Sequence, residues 1–198
     1  MDFEIIWDDD EMKQLDAMAS ILLSASYSEW LSFKEKLANP HCLADEGNDY
    51  FEIAESTIEV YEGDLTEGTL SLIFLNILEY EDLIVTIDWK EEMENGQLAS
   101  FAAERYHALL DIDDAAELKE RLIKLTSERE LAKVCDINKV HLDIIFERIQ
   151  AQLDQYNLIL AHLFDGSDCY HIFVTTKADF IKLQNIDSEY LTAMVCSH

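Results

Sequence analysis

Apolar positions recur at three- and four-residue spacing through most of this chain, the signature of one face of a helix. Met12, Leu15, Met18, Ala19, Leu22 and Leu23 mark a first such face, opened by the acidic run Asp8-Asp9-Asp10-Glu11. That run puts negative charge where the positive end of a helix dipole would sit. Ser28 and Glu29 open a second helix that presents Trp30, Leu31, Phe33 and Leu37 and stops at Asn39-Pro40. Tyr50, Ile53, Ala54, Ile58 and Tyr61 share a third apolar face, although Ile58-Glu-Val-Tyr fits a strand as well. Thr66 to Glu79 reads as a buried helix carrying Leu70, Ile73, Phe74, Ile77 and Leu78. Further helices are predicted over 97–110, 114–125, 127–135, 138–155 and 177–185. Of these, 138–155 is the best patterned, with Val140, Ile144, Ile145, Ile149 and Leu153 turned inward.

Strand signals are fewer. Leu83-Ile-Val-Thr-Ile-Asp-Trp is short, β-branched and bounded by charge, and Asn95-Gly96 marks the turn that follows it. Asn157 to Leu163 and Tyr170 to Thr175 flank Asp165-Gly166, a strong turn signal, so the two segments are expected to pair as an antiparallel hairpin. The expected fold is a single α+β domain over 1–198, mostly helical, with a small and largely antiparallel sheet from 83–88, 158–163 and 170–175.

Composition fits this picture. With 49% hydrophobic residues the chain can build a core and leaves the class expected to be disordered. One proline (Pro40) and five glycines argue against a many-turned all-β fold. Cys42, Cys135, Cys169 and Cys196 are scattered without CxxC pairing, which predicts reduced core thiols, not a disulfide framework or a zinc ribbon. The first residues lack a signal-peptide pattern, and the longest apolar block, Leu70 to Leu78, falls well short of the roughly 20 residues that span a bilayer. A soluble, cytosolic protein is expected.

Charge changes the picture most. The formal net charge is -28, and between Lys36 and Lys90 there is no lysine or arginine while residues 37–89 hold 13 aspartates and glutamates. Such repulsion works against a compact state but steers cationic partners. It disfavours nucleic acid and anionic lipid, whose phosphates are bound chiefly by Lys and Arg. Asp49, Glu52, Glu55, Glu59 and Glu62 are spaced by three or four, so on a helix they form one acidic stripe. Like charges at that spacing repel, which makes a stripe without cations costly as a merely solvated face. As a docking surface for a basic partner it would speed capture. Asp88-Trp89-Lys90 ends the first strand with a carboxylate, an aromatic and the first cation after the gap, a combination that serves either as a core cap or as an interface anchor.

Other clusters have plain structural readings. Asp111-Ile-Asp-Asp114 caps a helix, with Asp113 as the N-cap, and Asp165 and Asp168 are explained by turn chemistry. His41-Cys42, and His162 with Cys169 and His171, are the His/Cys neighbourhoods. If the hairpin pairs as expected, His162 and His171 face each other across it, as a two-histidine metal site or a Cys-His dyad would require. No calcium loop, G-x-S-x-G, P-loop, G-x-G-x-x-G or H-E-x-x-H is present, so no catalytic residue, metal or cofactor is expected.

Leu83-Ile-Val-Thr-Ile-Asp-Trp-Lys90 and Leu158-Ile-Leu-Ala-His-Leu-Phe-Asp-Gly-Ser-Asp-Cys-Tyr-His-Ile-Phe173 together resemble a bacterial family of unknown function. Its pattern is a strand ending in Asp-Trp-Lys and a C-terminal hairpin with an Asp-Ser-Asp-x-Tyr-type turn, for which this chain has Gly166-Ser167-Asp168. The resemblance implies a small cytosolic α+β protein and no activity. In size, acidity and lack of catalytic motifs the chain is also similar to immunity proteins of bacterial toxin systems.

The expected function is an acidic, cytosolic binding protein that neutralises a basic toxin or effector, of the contact-dependent or type VI kind, by covering its active site. Its partner surface would comprise Asp49, Glu52, Glu55, Glu59, Glu62, Tyr61, Tyr80, Asp88 and Trp89, with Tyr50 as a further anchor. Alternatives are a DNA-mimic regulator of nucleic-acid-binding proteins, a metal-dependent enzyme using Asp165, Asp168, His162 and His171, and a housekeeping protein with another ligand.

Overall fold

A computed structural model describes residues 9–37, 49–60, 68–88, 96–112, 115–131 and 142–196. It is mostly helical with one small antiparallel sheet, the α+β class expected. The chain groups into two compact units, Met1–Asp82 with Ile186–Leu191, and Leu83–Asn185 with Thr192–His198. No helix among the described residues is long and apolar enough to cross a membrane.

The first unit holds α1 (Asp9–Leu22), α2 (Tyr27–Leu37), α3 (Asp49–Val60) and α4 (Thr69–Tyr80). Helix α4 is apolar on nearly every side, and Leu70, Ile73, Phe74, Ile77 and Leu78 are all buried, so it forms the centre against which α1 and α3 pack. Around it lies an aromatic cluster. Trp30 meets Phe74 edge-on at 5.2 Å between centroids, and Phe33 meets Tyr50 edge-on at 6.0 Å. Such edge-to-face pairs add about 1 kcal/mol each beyond the area they bury.

The α4 N-terminus shows how this unit places its charge. Gly68 precedes the helix at φ 87°, a left-handed conformation that glycine adopts without strain, and it offers no side-chain cap. A buried carboxylate supplies one instead: Glu11 Oε1 of α1 accepts from the Ser71 amide at 3.0 Å and from Ser71 Oγ at 2.7 Å. The helix expected from Thr66 therefore begins at Thr69, after this glycine. Residues 59 and 60 continue α3, which settles Ile58-Glu-Val-Tyr in favour of helix for its described part.

The second unit carries β1 (Val85–Asp88), α5 (Gln97–Leu110), α6 (Ala115–Thr126), α7 (Glu128–Leu131), α8 (Leu142–Leu153), β2 (Leu158–Phe164), β3 (Cys169–Thr176), α9 (Lys177–Gln184) and β4 (Thr192–Val195). Strand order is β1-β3-β2-β4, antiparallel throughout. The three expected strands are present, with β1 shortened to 85–88, and β4 adds a fourth. Because successive side chains alternate between faces, Ile87, Leu158, Leu160, Ile172 and Val174 share one face. They enter the core formed with α5, α6 and α8. The alternate set, including Ala161, Leu163 and Phe173, lies towards α9, whose Phe180 and Leu183 are buried. Both faces are covered, which explains why β2 reads as an almost unbroken apolar run.

Of the helix expected over 127–135, residues 128–131 are helical and the remainder lies outside the described residues; so do Asn39-Pro40 and Asp113. The helix expected over 138–155 spans 142–153 and ends in a 3-10 turn. Cys196 is buried as expected, whereas Cys169 is only half-buried; Cys42 and Cys135 lie outside the described residues.

Candidate functional site

Helix α3 turns Asp49, Glu52 and Glu55 to solvent while Tyr50, Phe51, Ala54, Thr57 and Ile58 are buried. The spacing of its apolar residues dictates that division, and the carboxylates take the face left over. Glu59 follows in the same helix, while Tyr61, Glu62 and Trp89 lie outside the described residues. Asp88 is exposed at the end of β1, in the other unit. Glu52 and Glu55 make no ion pair with any described lysine or arginine. Of the three lysines in this unit, Lys34 bonds Asp16 and Lys36 lies 5.7 Å from the Phe51 ring centroid.

The start of α3 and the end of α4 meet at a tyrosine. Tyr80 is 54% exposed, and its hydroxyl donates to Asp49 Oδ2 at 2.6 Å. That bond, reinforced by the charges of Asp49, Glu81 and Glu29, raises the Tyr80 hydroxyl above the usual tyrosine range. One exposed aromatic thus stands within the field of three carboxylates. An arginine or lysine side chain is the complement of such a group, since the ring face attracts a cation and the carboxylates accept its N–H bonds.

Tyr50 has a different place. It is 1% exposed, packed among Phe33 and its neighbours, and its hydroxyl donates to Glu81 Oε1 at 2.7 Å. Burial first, then this bond, pushes the hydroxyl far above its ordinary range. The expectation of Tyr50 as an interface anchor is therefore corrected: it is a core residue. Glu81 also accepts from Ser26 Oγ at 2.7 Å, so its carboxylate is held by two hydroxyls, and its charge acts on Tyr80 as well.

The hairpin corrects a second expectation. His162 pairs with Ile172, and His171 pairs with Leu163, so the two histidines point to opposite faces of the sheet. The four-residue set Asp165, Asp168, His162 and His171 does not converge. His171 instead lies between Asp165 Oδ2, 3.3 Å from Nε2, and Thr86 Oγ1, 3.1 Å from Nδ1. Asp165 also receives the Ser167 amide at 2.9 Å, the turn role expected of it. Burial of Asp165 raises its carboxyl, but the bonds from Ser167 and the adjoining His171 outweigh this and hold it below the usual range. Asp168 is exposed on the turn.

His162 looks elsewhere. With Tyr170, Asp143, Gln184 and residues 192–196 it lines a cavity of about 450 Å³ beside β4. Its ring stands edge-on to Tyr170 at 5.2 Å, and its Nδ1 is 3.8 Å from Cys196 Sγ. Burial pushes the Cys196 thiol up, which leaves it neutral and a poor nucleophile. Sequence reasoning missed this pair because Cys196 reaches His162 only through β4.

A family model described as Domain of unknown function (DUF6630) matches residues 22–190. The chain belongs to this family. No curated protein and no solved structure matches it. The DUF6630 span takes in α3, α4 and the hairpin, and it ends before β4 and Cys196.

Proposed function

We propose that this DUF6630 protein is an acidic, cytosolic binding protein whose α3–α4 surface docks a basic protein partner. Its reading at the finest level is a bacterial immunity protein that covers the active site of a cationic toxin. The observation that carries the proposal is Tyr80, exposed at the meeting of α3 and α4, held by Asp49 and flanked by Glu29 and Glu81 with Glu52 and Glu55 beyond. The aromatic supplies a contact of the kind that dominates binding energy, and the carboxylates supply steering. Of the other residues expected from sequence, Tyr61, Glu62 and Trp89 lie outside the described residues and Asp88 belongs to the other unit, so the proposal rests on α3 and α4 alone.

The test uses the product of the adjacent reading frame. Co-expression with it should restore growth, and the purified pair should form a complex. The Asp49→Asn/Glu52→Gln/Glu55→Gln variant should associate at least about tenfold more slowly, and Tyr80→Ala should dissociate faster. No complex, or a variant that protects as well as the parent, contradicts the proposal. Displacement of DNA from several unrelated DNA-binding proteins would favour the DNA-mimic reading instead.

A further inference from the structure

The cavity beside β4 gathers three soft or borderline ligand atoms on one face of the sheet. His162 of β2 pairs directly with Met194 of β4, so their side chains share a face, and Cys196 lies two residues further along the same side. His162 Nδ1 and Cys196 Sγ are 3.8 Å apart, and all three residues line the cavity. We propose that His162, Cys196 and Met194 form a binding site for a single copper(I) ion.

The separation of the first two ligand atoms admits one ion bonded to both. Metal–nitrogen and metal–sulfur bonds of about 2.0 and 2.3 Å together exceed the 3.8 Å span, so a single ion can bond both atoms. A structural zinc site needs four ligands, and no group of three His, Cys, Asp or Glu among the described residues converges on one point. Copper(I) is content with fewer ligands and prefers thiolate and thioether sulfur, which is what Cys196 and Met194 supply. The cavity gives the ion a way in, since Met194 at its rim is 42% exposed while Cys196 and His162 sit deeper at 5% and 7%. Binding breaks the Cys196 S–H bond, forms an Sγ–Cu bond and releases the proton to solvent; copper enters and stays as copper(I), so no electron is transferred. Of the three, His162 lies within the family match and Met194 and Cys196 lie beyond it.

The experiment is anaerobic competition for copper(I) against the chromophoric chelator bicinchoninate, using the full chain. The parent and Cys169→Ser should each withdraw one copper(I) per chain. Cys196→Ser should lose affinity by more than the ~100-fold that an outer-shell partner is worth. Met194→Leu, at a partly exposed position where folding is not at stake, should weaken binding by about tenfold, as loss of a weak thioether ligand does. Thermal unfolding of each variant controls for fold, and X-ray absorption of the copper-loaded parent should show a mixed nitrogen and sulfur shell. Failure to compete with the chelator, equal binding by Cys196→Ser, a shell without sulfur, or capture of zinc in preference to copper(I) would each overturn the proposal.

Discussion

The two units of the molecule treat their carboxylates in opposite ways. The helical unit has 23 acidic residues against three lysines, whereas the sheet unit has 19 against 11 lysines and arginines. In the sheet unit acids meet cations: Asp154 with Lys177 at 2.8 Å, Asp179 with Lys182 at 2.7 Å, and Glu104 with Lys119 at 3.0 Å. Among the described residues of the helical unit, four carboxylates are held by neutral donors. Glu11 takes Ser71, Glu81 takes Ser26 and Tyr50, Asp49 takes Tyr80, and Asp16 takes the Trp30 indole at 2.7 Å as well as Lys34. Hydroxyl and indole donors satisfy a carboxylate without cancelling its charge. The difference teaches how a unit can fold around its acids and still project their field, which is the property a basic partner would use.

The comparison is broken most severely in the aromatic cluster. Trp30→Ala removes the ring that joins Phe33 and Phe74 and leaves Asp16 without its indole donor, and it should cost about 3–5 kcal/mol in denaturant unfolding. Next comes the neutral-donor rule itself. Glu11→Ala strands the Ser71 amide and hydroxyl at the α4 N-terminus and should cost roughly 2 kcal/mol, while Glu11→Gln, which keeps an acceptor, should cost less.

Acid and alkali sharpen the contrast. Bonds from Lys177 and Lys182 hold Asp154 and Asp179 below the usual carboxylate range, and Asp165 lies below it for the reasons given above. Their stabilisation is complete above the unfolded value of about 4 and is lost as pH falls below it. In the helical unit Tyr50 and Tyr80 lie above the usual tyrosine range, so their contribution is present below about pH 10 and lost above it. In the sheet unit burial raises both the Tyr170 hydroxyl and the Cys196 thiol, so stability is lost there too, from about pH 8.5 upward for the thiol. Amide exchange followed region by region, corrected for intrinsic rates, should show acid opening concentrated in the sheet unit, whereas alkaline opening should occur in both units and begin at lower pH around Cys196 than around Tyr50. The smallest effect lies on the α3 face. Glu55→Gln, beyond the first turn where the helix dipole favours an acid, relieves like-charge repulsion and should stabilise by about 0.3 kcal/mol, an increment that added salt erases.

Much of this was legible before any coordinates. Helical spacing located α1, α2, α4, α5 and α9 to within a few residues, and Asp165-Gly166 located the hairpin. The acidic side of α3 followed from Tyr50, Ala54 and Ile58 taking the other side. What escaped has physical causes. Glu11 sits four residues before Leu15 and seven before Met18, so it faces inward, but a glutamate in a first turn reads by default as an exposed dipole partner. Tyr50 and Tyr80 are alike in sequence, and only the packing of α3 on α4 makes one a core ring and the other an exposed one. Strand β4 is four residues long with one buried position, Ala193, which gives no alternating pattern to detect. The histidines were misjudged by one residue of register, and in a strand one residue is a change of face.

The account stands on the claim that the α3–α4 acidic surface exists to meet a basic partner. The most direct measurement is the association rate constant of the chain with the product of its adjacent reading frame, taken across a range of salt concentrations for the parent and for Asp49→Asn/Glu52→Gln/Glu55→Gln. The account predicts a parent rate that falls by about tenfold or more as salt rises, and a variant that is slow and nearly indifferent to salt. Equal rates for the two proteins at every salt concentration would contradict it.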